Sequence, residues 1–440
     1  MKTSREQGLT VRKNQSLLDY MAIYSGIEEA TKDHIERFGV PFEQQPDQEI
    51  KQNHISRLKN SGAIFRNSGK SVISNQRISS ACEACQTGSG SYTSFVSLKC
   101  HRDCYFCFNK NQDDYQFYLH NQRNAGHELE TLLDNGVNLT HLALTGGEPL
   151  LHPKEALAFF QLANERAPQI HTRLYTAGDL LNEEILQELQ AAGLDEIRFS
   201  VKLEDSPQKR KHIIGKIELA KRYIRDVLVE MPVIPGTDEE MKELLLALDA
   251  IGVFGINLLE FCFPLGNAQA FKDRGFMLKN PPYDVYYNFW YAGGLAVAES
   301  EKLCYELVQF AIDQNLKLGV HYCSLENKFT GQIYQQNHDE KLDPTYSFSS
   351  EDYYFKTVKA FGKDRNFVKK QLEKKKQAFI ENDEYDFIQF SLEALPILKN
   401  RNLEVLISSN VVELDQGERQ IREVQLERTT SEAFLHDQEK

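Results

Sequence analysis

The chain of 440 residues reads as an α/β protein. From Thr93 onward, short apolar and β-branched runs alternate with segments of helical periodicity, the pattern of a parallel sheet built from βα units. The residue types that carry chemistry fall where those short runs end, which is where parallel sheets of this kind gather their functional groups. A chain this long can also bury a large core and hold one big domain with smaller additions.

Composition removes several function classes. The net charge of −13 provides no overall basic field for nucleic acid. No apolar run approaches the ~18 residues that span a membrane. The start, Met1-Lys2-Thr3-Ser4-Arg5-Glu6, lacks the apolar core of a signal peptide. Eight cysteines, clustered as for metal binding, fit a reducing compartment, so a cytoplasmic protein is expected.

Residues 1–80 read as a helical N-terminal extension. Leu17, Leu18, Met21, Ile23 and Tyr24 recur at helical spacing, and a second helix is expected from Ile27 to Phe38. Residues 44–75 are polar and assign to no domain. Residues 81–92 hold Cys82-Glu83-Ala84-Cys85, followed by the turn-rich Gly88-Ser89-Gly90-Ser91.

Residues 93–340 form the core with a downstream extension. Six strands are expected, at Phe95–Lys99, Thr140–Leu144, His171–Tyr175, Glu196–Val201, Val227–Val233 and Ile256–Phe261. Glu155–Arg166, Glu183–Ala192 and Glu239–Ile251 lie between them as helices. The stretch from Phe276 to Gly294 carries Tyr283, Tyr286, Tyr287, Phe289, Trp290 and Tyr291, which read as packing before they read as a substrate surface. A helix is expected over Ala296–Gln314. Residues 341–430 read as a small α+β region with helices at Phe367–Glu381 and Tyr385–Lys399. Its hairpin joins Leu403–Glu413 to Arg419–Arg428 through Asp415-Gln416-Gly417. Residues 431–440 read as a disordered tail.

The most informative stretch is Cys100-His101-Arg102-Asp103-Cys104-Tyr105-Phe106-Cys107. A chance C-x3-C-x2-C arises roughly 0.003 times in a chain of this composition, so the spacing calls for a chemical reason. The charged flanks His101, Arg102 and Asp103 argue against three buried apolar thiols. Three thiolates do not close a tetrahedral zinc site, but on a four-iron cluster they leave one iron open to a ligand that is not protein.

On these residues the chain resembles the radical S-adenosylmethionine (radical SAM) superfamily, whose signature C-x3-C-x-aromatic-C falls on Cys100, Cys104, Phe106 and Cys107. Thr145-Gly146-Gly147-Glu148-Pro149 matches a second family element, and Val233-Ile234-Pro235-Gly236 is a looser echo. Within the superfamily the resemblance leans toward the pyruvate formate-lyase activating enzyme-like group. It implies a partial (β/α)6 TIM-type barrel, a [4Fe-4S] cluster on Cys100, Cys104 and Cys107, and S-adenosylmethionine cleaved reductively to a 5′-deoxyadenosyl radical. It also implies that the Gly146-Gly147 turn bonds the cofactor's amino group while Glu148 and Pro149 fix its shape. The backbone beside Phe106 would meet adenine, and Ser200 and Lys202 would meet ribose and carboxylate, with Thr176 and Asn257 as weaker candidates. A solvated Lys202 is the competing reading. Gly146 and Gly147 suit a close approach because a Cβ there would push a ligand away.

Cys82 and Cys85, with Cys323 and either His321 or Cys262, offer four ligands for an additional zinc or iron. Redox-active or merely buried thiols compete with that reading. No cysteine follows Cys323, which argues against an auxiliary cluster domain of the SPASM kind, and nothing before the core is long enough for a cobalamin domain. The expected substrate is a peptide or protein residue, or a small molecule, with a flavodoxin- or ferredoxin-type electron donor. A non-catalytic iron–sulfur or metal-sensing protein is the reading from another class.

Overall fold

The computed structural model describes residues 14–44, 48–286, 293–399 and 401–438. They divide into two compact units. The larger unit runs from residue 38 to 283 and resumes through residue 331; the smaller holds residues 14–37, 284–286 and 332–438.

The larger unit is built on a nine-stranded sheet. Its strands are β1 (Ile64–Arg66), β2 (Ser71–Ile73), β3 (Ser91–Phe95), β4 (His141–Thr145), β5 (His171–Thr176), β6 (Glu196–Phe199), β7 (Asp226–Val233), β8 (Gly255–Glu260) and β9 (Gly319–Cys323). Strands β3 to β9 are parallel, each beside its successor, the arrangement that βα repeats give. Beyond β9 the sheet continues antiparallel through β2 and then β1. The order has two free edges, β3 and β1, so this is a partial TIM-type barrel.

Alternation along the strands sets the two faces. Leu142, Leu174, Ile197, Val227, Ile256 and Val320 enter one apolar core with Phe159, Leu186, Ile213, Leu245 and Leu307 of the covering helices. Each such side chain, fully buried, contributes about 1.5–3 kcal/mol. The alternate positions are polar: His171, Arg173 and Tyr175 on β5, Glu196 and Arg198 on β6, Glu230 on β7, Asn257 on β8 and His321 on β9.

The smaller unit carries a six-stranded antiparallel sheet. Its main order is Phe379–Asn382, Phe387–Ser391, Phe355–Phe361, Glu404–Asp415 and Glu418–Thr430, and Ser347–Phe348 pairs with Phe355–Phe361. The N-terminal helix Gln15–Glu36 packs on this sheet: Leu17 is buried with Phe361, Phe387 and Leu406, and Tyr20 donates to Glu423 at 2.8 Å.

Several expectations are corrected. The extended run at Gly319–Cys323 is a seventh parallel strand, so six βα units undercount the sheet. The first barrel strand ends at Phe95 instead of Lys99, because Ser97 and Lys99 accept N–H groups from the turn after β4. Residues 1–80 hold one long helix instead of two, a second helix at Gln48–Asn60, and β1 and β2. The segment from Tyr385 to Lys399 is a strand followed by a short 3-10 helix, and Phe379–Asn382 is a strand where the helix from Phe367 was expected to continue. The hairpin is present, with Gln416 and Gly417 at positive φ as a two-residue turn requires. Ser431–Gln438 is helical, not a disordered tail. The boundaries drawn at 80/81 and 340/341 do not follow the division into units. Of the aromatic stretch, Tyr283 is buried and donates to the Gly294 carbonyl, whereas Tyr287, Phe289, Trp290 and Tyr291 lie outside the described residues.

Candidate active site at the cysteine loop

The cysteine loop leaves β3 at the carboxyl ends of the parallel strands, and three braces fix it. The first is the glycine turn after β4. Gly147 N–H donates to Ser97 O at 3.0 Å and Glu148 N–H to Lys99 O at 2.9 Å. A Cβ on Gly147 would stand 2.0 Å from Lys99 O, and one on Gly146, whose φ is +101°, 2.5 Å from Phe95 Cβ. The two glycines therefore admit the backbone that leads into the cysteine loop. The close approach expected at these glycines is thus made, in the structure, by the Phe95–Lys99 backbone. Asn109, just past Cys107, donates to the Gly146 carbonyl and closes the brace from the other side.

The second brace is Glu148, which is buried and accepts from Ala177 N–H (2.7 Å), Thr176 Oγ1 (2.8 Å) and Leu150 N–H (3.1 Å). Burial raises its carboxyl above the ordinary value, against the lowering pull of those donors. Thr176 also accepts from Gly178 N–H at 3.0 Å, so both side chains tie the end of β5 to the turn after β4. For Glu148 this is the shape-fixing role expected of it. Pro149 is buried at the start of the short 3-10 helix that follows.

The third brace comes from the loop itself. Arg102 grips Asp205 after β6 at 2.7 and 3.0 Å and Asp179 after β5 at 2.8 and 2.9 Å, and His101 reaches Asp179 at 2.9 Å. The two-nitrogen fork on Asp179, with Nη1 shared between both oxygens of Asp205, fixes the direction as well as the distance of the loop. Burial opposes ionisation of Asp179, but His101 and Arg102 outweigh it and hold the carboxyl below its ordinary range.

On this framework Cys100 is exposed, Cys104 and Cys107 are half-buried, and all three are free thiols. Arg102 N–H points to Cys100 Sγ at 3.4 Å, the Asn109 backbone N–H bonds Cys107, and the Lys202 ammonium rests on Cys104 Sγ. Phe106, Ser200 and Lys202 line one small cleft together with Glu204, Met231 and Ile234. The structure thus brings together the residues that the sequence assigned to adenine, ribose and carboxylate. Ile234 belongs to the Val233-Ile234-Pro235-Gly236 motif, which closes β7 at the same end of the sheet.

These residues fit an iron–sulfur cluster. Three sulfurs come from one loop, N–H groups and an ammonium face them, and a cleft opens beside them. Among the described residues, no three His, Cys, Asp or Glu stand at the spacing of one bound ion. A four-iron cluster held at three separate corners does not ask for that spacing, whereas a zinc does.

The residues expected to hold a second metal have protein partners in the structure. Both ring nitrogens of His321 are engaged, Nε2 with Ser71 Oγ at 2.8 Å and Nδ1 with Asn257 Oδ1 at 2.9 Å, which leaves no lone pair for a metal. Cys82 Sγ accepts from Arg198 and Asn257, each at 3.3 Å, and buried Cys323 accepts from Asn327 at 3.2 Å. Cys262 and Cys304 are core thiols. Cys82, Cys85, His321 and Cys323 share a region but assemble no metal cage.

Sequence reasoning missed the Arg102 brace and the polar network of the concave face. A signal for the network was present: His171-Thr172-Arg173-Leu174-Tyr175 and Glu196-Ile197-Arg198 alternate polar with apolar in strands expected to be buried on both faces.

Comparison with known proteins agrees with the loop and its turn. A family model described as the radical SAM superfamily matches residues 95–248. A protein of Methanocaldococcus jannaschii, named as a candidate glycyl-radical enzyme activating enzyme, is 30% identical over 215 residues, covering 46% of this chain and 56% of its own. The GTP 3′,8-cyclase of Cyanothece sp. (strain PCC 7425) is 29% identical over 197 residues, covering 41% of this chain and 58% of its own. The chain thus spans little more than half the length of these curated relatives. The crystal structure of Streptococcus suis SuiB bound to precursor peptide SuiA aligns over 73% of this chain and 66% of its own, at 14% identity and a TM-score of 0.40. Over residues 95–248 the chain is thus similar to the radical SAM superfamily.

Proposed function

We propose that the chain is a radical SAM enzyme that acts on a C–H bond of a peptide or protein residue. The observation that supports it most is the cysteine loop with its three sulfurs, braced to the ends of β4, β5 and β6 beside a cleft. Held there by Cys100, Cys104 and Cys107, a [4Fe-4S] cluster with S-adenosylmethionine would supply the one-electron chemistry needed to activate an otherwise inert C–H bond.

The chain's own residues do the rest. Cys100, Cys104 and Cys107 hold the cluster. The Gly146-Gly147 turn aligns the loop, and Arg102 keeps it from swinging away. Phe106 and Ser200 frame the adenosyl part in the cleft. Lys202, which lies against Cys104, pairs with the methionyl carboxylate once its thiol partner is committed to iron. Holding the reacting groups together in this way makes electron transfer effectively unimolecular.

Placement in the pyruvate formate-lyase activating enzyme-like group, and with it a protein substrate, is supported by the name of the M. jannaschii relative. The cyclases, by name, act on GTP and support a small-molecule substrate as the second reading. A flavodoxin- or ferredoxin-type donor is the fitting electron source, and the eight free cysteines support a reducing compartment such as the cytoplasm.

Anaerobic reconstitution with iron and sulfide, followed by dithionite and S-adenosylmethionine, tests the reading. Release of 5′-deoxyadenosine and methionine, abolished in Cys104→Ala, is the expected outcome. An intact sulfonium in the presence of a loaded cluster makes the protein a sensor or a structural cluster protein instead.

A further inference from the structure

The concave face of the sheet holds an unusual imbalance of charge partners. Arg198 is almost fully buried and paired with Glu196 and Glu230, and both carboxylates have further donors: His171 and Ser79 on Glu196, Asn257 on Glu230. Two strand positions away, and across the same Tyr175 ring, stands a second guanidinium. The Arg173 and Arg198 carbons lie 5.2 and 5.6 Å from the ring centroid. Arg173 has no ion pair and no hydrogen bond among the described residues, and its Nε is buried without a partner. A guanidinium left this way beside another cation is costly unless an anion completes it.

A second cation lies on a helix that packs beside this face. Gly331 lies on the helix Leu325–Asn337, and a Cβ there would meet the Cys85 carbonyl at 2.8 Å, so this face of the helix is laid against the Cys82–Cys85 segment. Lys328 is one turn earlier on that face. Its ammonium has no ion pair or hydrogen bond among the described residues and lies 6.0 Å from the ring centroid of Phe108, the residue after Cys107. Cys85 lies between the two cations. It keeps surface open to solvent, and burial, Cys82 and Glu230 push its thiol up while Arg173 and Lys328 pull it down.

We propose that Arg173 and Lys328 form an anion subsite in the barrel lumen, taking a carboxylate or phosphate group of the substrate. Three cations, Arg173, Arg198 and Lys328, face two carboxylates: both are hydrogen-bonded to Arg198, while Arg173, opposite Glu196 in the strand register, acts on both only through space and Lys328 acts so on Glu230. Lys328 connects the subsite to the cysteine loop through Phe108, so an anion held there leaves the remainder of the molecule pointing toward the site of hydrogen abstraction. Only the identification of the anion as part of a substrate rests on the enzymatic reading above; the subsite itself does not.

Cys85 provides a built-in reporter. The anaerobic full chain is alkylated with iodoacetate, which is anionic, or with iodoacetamide, which is neutral, and the rate at Cys85 is followed by peptide mapping. The iodoacetate-to-iodoacetamide rate ratio at Cys85 should exceed that of glutathione by about fivefold or more at low salt. It should collapse toward the glutathione value as salt rises to about 0.3 M. Arg173→Gln and Lys328→Gln should each lower it, and the double variant should abolish it. A wild-type ratio no higher than that of glutathione, or one indifferent to salt, overturns the subsite without reliance on any variant. Competition arms identify the source of the anion: protection by glutarate points to an acidic side chain or carboxylate substrate, protection by pyrophosphate to a phosphorylated one, and protection by neither overturns the proposal. The ratio is read without turnover. A positive ratio with no 5′-deoxyadenosine release would sink the enzymatic reading alone, and a flat ratio with normal release would sink the subsite alone.

Discussion

Arg102 donates both oxygens' worth of hydrogen bonds to Asp205, at 2.7 and 3.0 Å, from a guanidinium only 7% exposed. The same group holds Asp179, so one side chain of the cysteine loop is fastened to the ends of β5 and β6. Arg102→Gln leaves two half-buried carboxylates facing each other without their cation. The expected loss is about 3 kcal/mol in the unfolding free energy of the chain, with lower iron content after reconstitution. Arg102→Lys should fall between, since an ammonium keeps the charge and loses the fork. Denaturant titration and iron assay check both; an Arg102→Gln chain as stable as wild type would refute the brace.

Gly147→Ala should be worse than its small added volume implies. Its Cβ would lie 2.0 Å from Lys99 O and 2.7 Å from Leu98 C, both backbone atoms, so the loop itself must move. A shift of that kind at reacting groups costs on the order of 100-fold in rate. The 5′-deoxyadenosine release rate of the variant, measured per iron bound, should fall by about that factor. Gly236→Ala is the control for added volume: its φ is positive, which that of Gly147 is not, but a Cβ there meets nothing within 4 Å, so its effect should be confined to modest backbone strain.

His321 makes stability sensitive to pH well above the carboxylate range. Burial, aided by Arg198, pushes its imidazole from an ordinary 6.5 down to about 3, so the folded chain keeps it neutral. The unfolded chain takes up a proton as pH falls through 6.5 and the folded chain does not, so stability present above 6.5 is lost progressively toward about 3. The slope in that window from this one group is about 1.4 kcal/mol per pH unit. Unfolding free energies at pH 7, 6 and 5 should show it, and His321→Asn should flatten it by that amount while lowering stability at pH 7. An unchanged slope in the variant would mean that the loss arises elsewhere, with His141, whose imidazole burial also lowers, the next group to replace.

Much of this site could be read before any coordinates, for reasons of chemical spacing. Three cysteines on one loop and two glycines after an apolar run are local patterns, and local patterns survive in a sequence. Strands β4 to β8 were legible because helical and extended periodicities alternate cleanly between residues 140 and 260. What escaped depends on residues far apart in the chain. Arg102 lies 77 positions from Asp179 and 103 from Asp205, and no spacing rule connects them. The role of Gly146 and Gly147 was half seen: the need for a close approach was visible, but the approaching group, the Phe95–Lys99 backbone, was not. Strand β9 was missed as a sheet member because Gly319–Cys323 is short and buried throughout, so it shows neither period. The supposed zinc ligand His321 was placed correctly on an extended piece. Only the structure shows that its neighbours on β2 and β8 already use both nitrogens.

The central claim is that Cys100, Cys104 and Cys107 hold a cluster with one iron left open to S-adenosylmethionine. Low-temperature electron paramagnetic resonance on the anaerobically reconstituted, dithionite-reduced chain tests it most directly. The account predicts a reduced-cluster signal that changes on addition of S-adenosylmethionine and is absent from Cys104→Ala. A wild-type signal indifferent to the sulfonium, or none at all in iron-loaded protein, would contradict it.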